Sequence, residues 1–271
     1  MKKTKPRKII PPVPLFSHWT RVAGRIRRAK RVALLLDFDG TLVTFKRDPK
    51  EVHLEAATRR VLERLARRPR VVLAFISGRR RADLRRRVGV SGALYFGLHG
   101  FERGPRVRVS AASRRGLRRA LDLVTAAILD LPGVWAEDKH GCVVVHYRGV
   151  PGPAAAKARA AVRRAVKEEA IEILPGKKML ELLAPEIKGK GEAAAALVRA
   201  SGRGVLPVFF GDTETDEMAF ESLRGAITVK VGNGRNTRAH YTVRNPEDVR
   251  MFLERLEDVL ARDHKPHEPP H

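Results

Sequence analysis

The chain has 271 residues, long enough for two domains of roughly 100–150 residues with well-buried cores. Its one cysteine, Cys142, excludes a disulfide within the chain and suits a reducing cytoplasm; no apolar run approaches the roughly 20 residues of a membrane span, and the N-terminus carries no apolar signal region. The net charge of +25, carried more by Arg than by Lys, is scattered in pairs and triplets along most helical segments (Arg59-Arg60, Arg79-Arg80-Arg81, Arg85-Arg86-Arg87, Arg163-Arg164), with no DNA-reading motif or aromatic stacking pattern. A soluble cytoplasmic protein is expected, with no membrane partner and no specific nucleic-acid partner, whose positive field suits an anionic substrate.

Residues 1–14 hold Lys, Arg and four prolines with little periodicity and read as a flexible basic leader. An amphipathic helix is predicted over 16–30, with Trp19, Val22 and Ile26 on one side. It feeds the apolar run Val32-Ala33-Leu34-Leu35-Leu36, which stops abruptly at Asp37-Phe38-Asp39-Gly40-Thr41. So short a run, bounded by a turn signal, reads as a strand buried on both faces, as in parallel sheets. Phe38 is expected to point back into the core while Asp37 and Asp39 emerge together, because strand side chains alternate. After a loop ending near Pro49, a helix over 54–67 leads to a second buried strand, Val71-Val72-Leu73-Ala74-Phe75-Ile76, which ends in Ser77-Gly78-Arg79. Strand, helix and strand at this length make a right-handed parallel crossover, so Ser77 lands on the same sheet edge as Asp37.

A helix over 80–88 and a strand near 93–96 follow, ending in Gly97-Leu98-His99-Gly100-Phe101-Glu102; a His between glycines has little packing reason to exist. From about 104 to 185 the pattern changes to alternating strands (134–139, 142–148, 171–174, 179–183, with Val107 and Val109 alternating before them) and two helices (117–131 and 154–170), as in a small, mostly antiparallel α+β unit. Lys188-Gly189-Lys190-Gly191 then opens an Ala-rich helix ending near 200. A third buried strand, 205–212, ends in acid and is followed by Thr213-Glu214-Thr215-Asp216 and a helix over 217–223; a strand over 226–231 and a helix over 245–261 complete the first sheet's domain. Residues 263–271 read as a flexible tail.

The parallel sheet thus presents Asp37, Asp39, Ser77, Asp212 and Asp216 at its carboxyl edge, with Lys190 at a helix start, and ligand sites of such sheets lie at that edge. Several acids around one point need a hard cation, and all-oxygen ligation favours Mg²⁺ over Zn²⁺. The set suits hydrolysis of a phosphate monoester: Asp37 as nucleophile, Asp39 as acid and base, Ser77 and the amides of the 38–41 turn on the phosphoryl oxygens, and Lys190 holding Asp37 ionised. Mg²⁺ would lie among Asp37, the Asp39 carbonyl, Asp212 and Asp216.

Asp37-Phe38-Asp39-Gly40-Thr41-Leu42, Ser77-Gly78-Arg79, Lys190-Gly191 and Gly211-Asp212 with Asp216, in this order, resemble the four motifs of the haloacid-dehalogenase phosphohydrolase superfamily. Within it, the closest resemblance is to the trehalose-6-phosphate phosphatases. It is carried by Gly97-Leu98-His99-Gly100-Phe101-Glu102, by Lys139 with His146-Tyr147-Arg148, by Gly176-Lys177 followed by Glu181-Leu182, and by Gly211 to Glu217 with Phe220, over about residues 30–260. The resemblance implies an α/β fold, a Rossmann-like parallel-sheet core (15–104 and 186–262) with an inserted α+β cap (105–185) that selects a small-molecule sugar phosphate. It implies substrate contacts from Gly78, Arg79, His99, Gly100, Lys139, His146, Arg148, Lys177 and Glu181, and a monomer is expected. One departure stands out: the family's last motif usually reads G-D-D-x-T-D-E, and here the second Asp is Thr213. The alternative is a related phosphatase acting on glucosyl- or mannosyl-3-phosphoglycerate or on sucrose phosphate.

Overall fold

The structure is a computed structural model that describes residues 11–45, 51–104, 109–176, 178–234 and 236–262. A seven-stranded, wholly parallel sheet forms one layer of the protein. Its strands are β1 (Val13–Pro14), β2 (Arg31–Leu36), β3 (Val71–Ile76), β4 (Leu94–Phe96), β9 (Val205–Gly211), β10 (Ile227–Val231) and β11 (Tyr241–Val243), laid out as β1-β11-β10-β9-β2-β3-β4. Between β4 and β9 the chain builds a separate four-stranded antiparallel sheet from β5 (Trp135–Asp138), β6 (Cys142–His146), β7 (Glu172–Gly176) and β8 (Met179–Leu183), in the order β5-β6-β8-β7. The α/β architecture with an inserted α+β unit is as the sequence predicts.

The reach of the parallel sheet differs from expectation at one edge. Val13 and Pro14, placed in the leader, form strand β1: the Val13 and Leu15 amides donate to the His240 and Thr242 carbonyls, and Leu15 is buried. Residues 1–10, and the tail 263–271, lie outside the described residues. Strand β11 is three residues long, too short to show an alternating pattern, and periodicity does not mark it.

Strand β2 lies in the middle of the sheet, and its residues alternate between two cores. Val32, Leu34 and Leu36 enter the larger cluster with Val22 and Ile26 of α1 (Trp19–Arg28), Val61 and Leu65 of α2 (Ala56–Ala66) and Phe252 and Leu256 of α8 (Pro246–Arg262). Ala33 and Leu35 face the other way, onto Ala193 and Ala194 of α6 (Gly189–Ala200) and Ala219 and Phe220 of α7 (Glu214–Ser222). Small alanines on α6 let it lie close to the sheet. The parity continues past the strand: Phe38 joins the first core as expected, and Asp37 emerges on the side of α6 and α7.

The antiparallel sheet packs one face against α4 (Ala111–Ile128) and α5 (Gly152–Ala165), through Leu117, Val124 and Val162. Helix α4 starts earlier than its apolar periodicity suggests, because Ser110 caps it by accepting the Ser113 amide at 3.0 Å. The opposite face carries Cys142, Val144 and Glu181 towards the parallel sheet, where Leu98 and Phe101 complete its packing. Among the described residues no helix is long and apolar enough to cross a membrane.

Cys142 is fully buried between these units, and burial pushes its thiol up to about 12. The folded protein is therefore expected to leave this thiol unmodified by a disulfide reagent at pH 8 and to expose one reactive thiol per chain in denaturant, as read by thiol titration.

Candidate active site

Four elements converge at the carboxyl edge of the parallel sheet, and one ammonium ties three of them together. Lys190 Nζ donates to Asp37 Oδ1 at 2.7 Å and to Asp216 Oδ1 at 2.8 Å, with all three side chains buried. The two glycines beside it explain how it gets there. Gly189 takes φ +79, the left-handed turn that leads into α6, and a Cβ on Gly191 would lie 2.6 Å from the Met218 carbonyl oxygen, so glycine lets α6 and α7 close on each other.

Asp37, Asp212 and Asp216 each bring an oxygen within 4.8 Å of the others. Three carboxylates against one ammonium leave excess negative charge in a buried place. Burial pushes the Asp37 carboxyl well above the ordinary range; Lys190 opposes this, and the neighbouring Asp216 and Asp212 charges add to it. Lys190 is held protonated: burial disfavours its charge, but Asp216 and Asp37 outweigh burial and raise it. Asp216 is lowered despite its burial, by Lys190 and by donors from Thr213. A hard divalent cation would relieve the imbalance, and all-oxygen donors suit one. The closeness of the cluster depends on Gly40, which has φ +85 and whose Cβ, if present, would lie 2.1 Å from Asp212 Oδ2.

The departure at Thr213 has a structural role. Its hydroxyl donates to Asp216 Oδ2 at 2.8 Å, and the amides of Asp212 and Thr213 donate to the same oxygen at 3.0 and 2.9 Å, closing a capping box at the start of α7. Asp216 is thus fixed on both oxygens, by the cap on one and Lys190 on the other.

Asp39 lies outside the three-acid cluster. Arg79 grips it in a fork, Nε to Oδ2 and Nη2 to Oδ1, both at 2.6 Å, and the same guanidinium reaches Asp83 of α3 (Arg81–Val88) at 2.9 Å. The Asp37–Asp39 pair therefore emerges from the strand with the two carboxylates on different partners. Ser77 is buried at the end of β3, its hydroxyl accepting the Arg79 amide at 3.2 Å. Of the 38–41 amides expected to cradle a phosphoryl group, those of Gly40 and Thr41 are used inside the turn, donating to Val43 and Phe38 carbonyls at 2.8 and 3.3 Å. A tight turn must satisfy its own backbone, a demand the motif pattern does not show.

The antiparallel sheet closes over this edge at three points. His99 Nε2 meets Glu181 Oε2 of β8 at 2.7 Å, both buried; Arg80 donates to the Lys139 carbonyl at 2.8 Å; and the Arg148 guanidinium lies 5.7 Å over the Phe45 ring. His99 occupies a strained turn, with φ of +46 at Leu98, +57 at His99 and +97 at Gly100. The turn is held by Leu98 and His99 amides donating to the Arg79 and Ser77 carbonyls, each at 2.9 Å. Gly78 has to be small there, since a Cβ would lie 3.0 Å from the His99 ring and 3.2 Å from Glu181 Oε1. Gly100 packs instead on α6, where a Cβ would meet that of Ala193 at 2.1 Å. His146 bonds Glu137 at 2.9 Å, and Lys177 lies outside the described residues.

Two contributors carry no role in the sequence reading. Lys230 of β10 donates to the Asp212 carbonyl at 2.8 Å; a lysine between valines in a buried strand is the signal that could have marked it. Glu102, buried, accepts from the Arg80 side chain at 3.0 Å and the Arg81 amide at 2.6 Å and so fixes the start of α3.

A parallel sheet with acids gathered at its carboxyl edge and a closing second unit defines a core of the haloacid-dehalogenase fold. A haloacid dehalogenase-like hydrolase from Bacteroides thetaiotaomicron superposes with a TM-score of 0.60 at 14% identity, over 84% of this chain and all of that one. The C-terminal domain of trehalose-6-phosphate phosphatase from C. albicans superposes at 0.79 and 22% identity, over 94% and 99%. The trehalose-phosphatase family model matches residues 35–254, and the chain belongs to that family. The trehalose-phosphate phosphatases of Mycobacterium avium and Mycobacterium leprae are 36% and 33% identical to it, over 85% and 86% of its length. The chain spans about three-fifths of the length of these relatives, 63% and 59%.

Burial alone would raise Glu181, but the charge and hydrogen bond of His99, with Lys139 and Lys190 nearby, hold its carboxyl at about 2. A carboxyl depressed from 4.5 to about 2 contributes stability that is present in full above pH 4.5 and is lost as the pH falls from there towards 2. The stability lost in Glu181→Gln is therefore expected to be largest near neutral pH and to shrink across that window, as read by urea unfolding of both proteins.

Proposed function

We propose that this chain is a magnesium-dependent phosphatase that hydrolyses trehalose 6-phosphate to trehalose and phosphate through an aspartyl-phosphate on Asp37. The observation that carries the reading is the setting of Asp37. It is a carboxylate at the end of a central strand, with Oδ1 held by Lys190 and Oδ2 touched only lightly by the Thr41 hydroxyl at 3.2 Å, in a cluster that needs a cation.

Asp37, Asp212 and Asp216 would hold the magnesium, which when bound offsets charge on the phosphoryl oxygens and on the cluster itself. The remaining steps fall to the chain's own groups. Lys190 opposes the burial that raises Asp37, the charge of a bound cation would complete that effect, and an ionised Asp37 oxygen attacks phosphorus as the bond to the sugar oxygen breaks. Asp39 is the group this reading assigns to protonate that departing oxygen, which requires one of its oxygens to leave the Arg79 fork and take up a proton first. In the second half a water attacks phosphorus, its proton passes to Asp39, and the bond to Asp37 breaks. The Ser77 hydroxyl and the amides of Phe38 and Asp39 are the donors this reading assigns to the phosphoryl oxygens.

The reading takes residues 15–104 and 186–262 as the catalytic core and 105–185 as a cap that selects the sugar. Glu181, Lys139, His146 and Arg148 of the cap, with His99, offer the directional donors and acceptors that disaccharide hydroxyls require. Closure of the cap would keep water away from the attacking carboxylate until the sugar has left. A reducing, cytoplasmic setting fits the single buried thiol.

The test is phosphate release from trehalose 6-phosphate, glucose 6-phosphate and glucosyl-3-phosphoglycerate, with magnesium and after chelation. Turnover is expected to favour the first, to vanish with chelator and to return with added Mg²⁺. Asp37→Asn, which removes the nucleophile and keeps the shape, should lower kcat by about 10³-fold or more. Equal rates on all three esters would remove the disaccharide assignment, and an unchanged Asp37→Asn rate would remove the nucleophile.

A further inference from the structure

The face of the antiparallel sheet that looks onto the parallel sheet is set by Glu181, which reaches His99. Strand register puts Val144 opposite Glu181 and Glu137 opposite Val144, so these three share that face; His146 and Trp135, each two residues along its strand and opposite one another, share it too. Trp135 is therefore on the substrate side of the proposed cap, yet its side chain is not packed away: the residue is 53% exposed. An indole left that open is unusual for a side chain that gains so much from burial.

Its orientation is nonetheless fixed. One indole face stacks on the His146 ring, centroids 4.0 Å apart and planes 19° from parallel. His146 is in turn fixed by its 2.9 Å bond to Glu137. One face of the indole is thus covered by imidazole, the exposure that remains is assigned to the other, and little rotamer freedom is left to be lost on binding. Arg148, two residues past His146, lies over the Phe45 ring, and that ring sits against Gly40, which brings this end of the sheet to the edge of the acid cluster. A pyranose presents one face of C–H bonds to such a plane while its hydroxyls point outwards to polar neighbours.

We propose that the open face of Trp135 is a stacking platform for the second glucosyl ring of a disaccharide phosphate, the ring without the phosphate. The proposal rests on the function proposed above and adds to it the residue that separates a disaccharide from a monosaccharide ester. Trp135 touches only the distal ring, so it sets affinity for the longer substrate and leaves the reacting atoms to Asp37 and its partners.

The protein has two tryptophans, and the other, Trp19, packs edge-on against Phe252 in the opposite core, so emission from a Trp19→Phe background reports on Trp135. In that background with Asp37→Asn added to block turnover, trehalose 6-phosphate should change the emission and glucose 6-phosphate should not. In the otherwise unaltered enzyme, Trp135→Ala should raise KM for trehalose 6-phosphate about tenfold with kcat held within about twofold, the scale of one lost aromatic contact. Trp135→Phe should restore most of that affinity. Phosphate release from trehalose 6-phosphate with unmoved emission and an unmoved KM in Trp135→Ala would overturn the platform and leave the phosphatase reading in place. A fall in kcat with KM unchanged would also overturn it. No release from any sugar phosphate would overturn both.

Discussion

The buried ammonium of Lys190 is the constraint on which the rest of the site depends. Taking a cation out of water costs several kcal/mol, and it is tolerable here only because two carboxylates from different elements meet it within 2.8 Å. That requirement fixes the end of β2, the first turn of α6 and the first turn of α7 relative to one another. It also accounts for the glycines on either side of the lysine, since a bulkier neighbour would hold α7 away and leave the charge unmatched. The negative charge that remains after this pairing is what makes the place suited to a cation.

A second level of organisation is the seam between the two sheets. It is polar at His99–Glu181 and Arg80–Lys139, and aromatic at Arg148–Phe45. Each contact involves a core group next to one of the candidate site: His99 lies on the turn that bonds Ser77, Arg80 adjoins Arg79, and Phe45 presses on Gly40, whose missing Cβ leaves room for Asp212. Closure over the edge and the shape of the edge are therefore set by the same few residues. The strained run from Leu98 to Gly100 is the cost of this arrangement, and it persists because two backbone bonds and the packing on α6 leave the turn nowhere to relax.

Much of this could be read from the sequence, for identifiable reasons. Strand β2 is apolar on both faces, so its end is unmistakable, and parity alone sends Phe38 one way and Asp37 the other. Lys190 between glycines and Asp216 four residues after Asp212 carry their spacing openly. What escaped depends on partners distant in the chain. Arg79 stands openly in its motif, while its fork onto Asp39 needs the fold to bring residues forty apart together. The donation of Lys230 to the Asp212 carbonyl needs β10 to lie beside β9, and Thr213 stands where the family carries an acid, with no local pattern to show that its hydroxyl caps α7. Strand β1 escaped because two residues hold no period, and prolines beside it read as a break.

That small strand has a consequence for how molecules of this protein behave towards one another. The amides of Val13 and Leu15 turn inward to β11, so the outward-facing position between them belongs to Pro14, which has no hydrogen to offer. A neighbouring chain that approached this side to lengthen the sheet would find no donor where the ladder needs one. With a net charge of +25 adding repulsion between copies, this margin of the sheet offers a second copy an incomplete ladder.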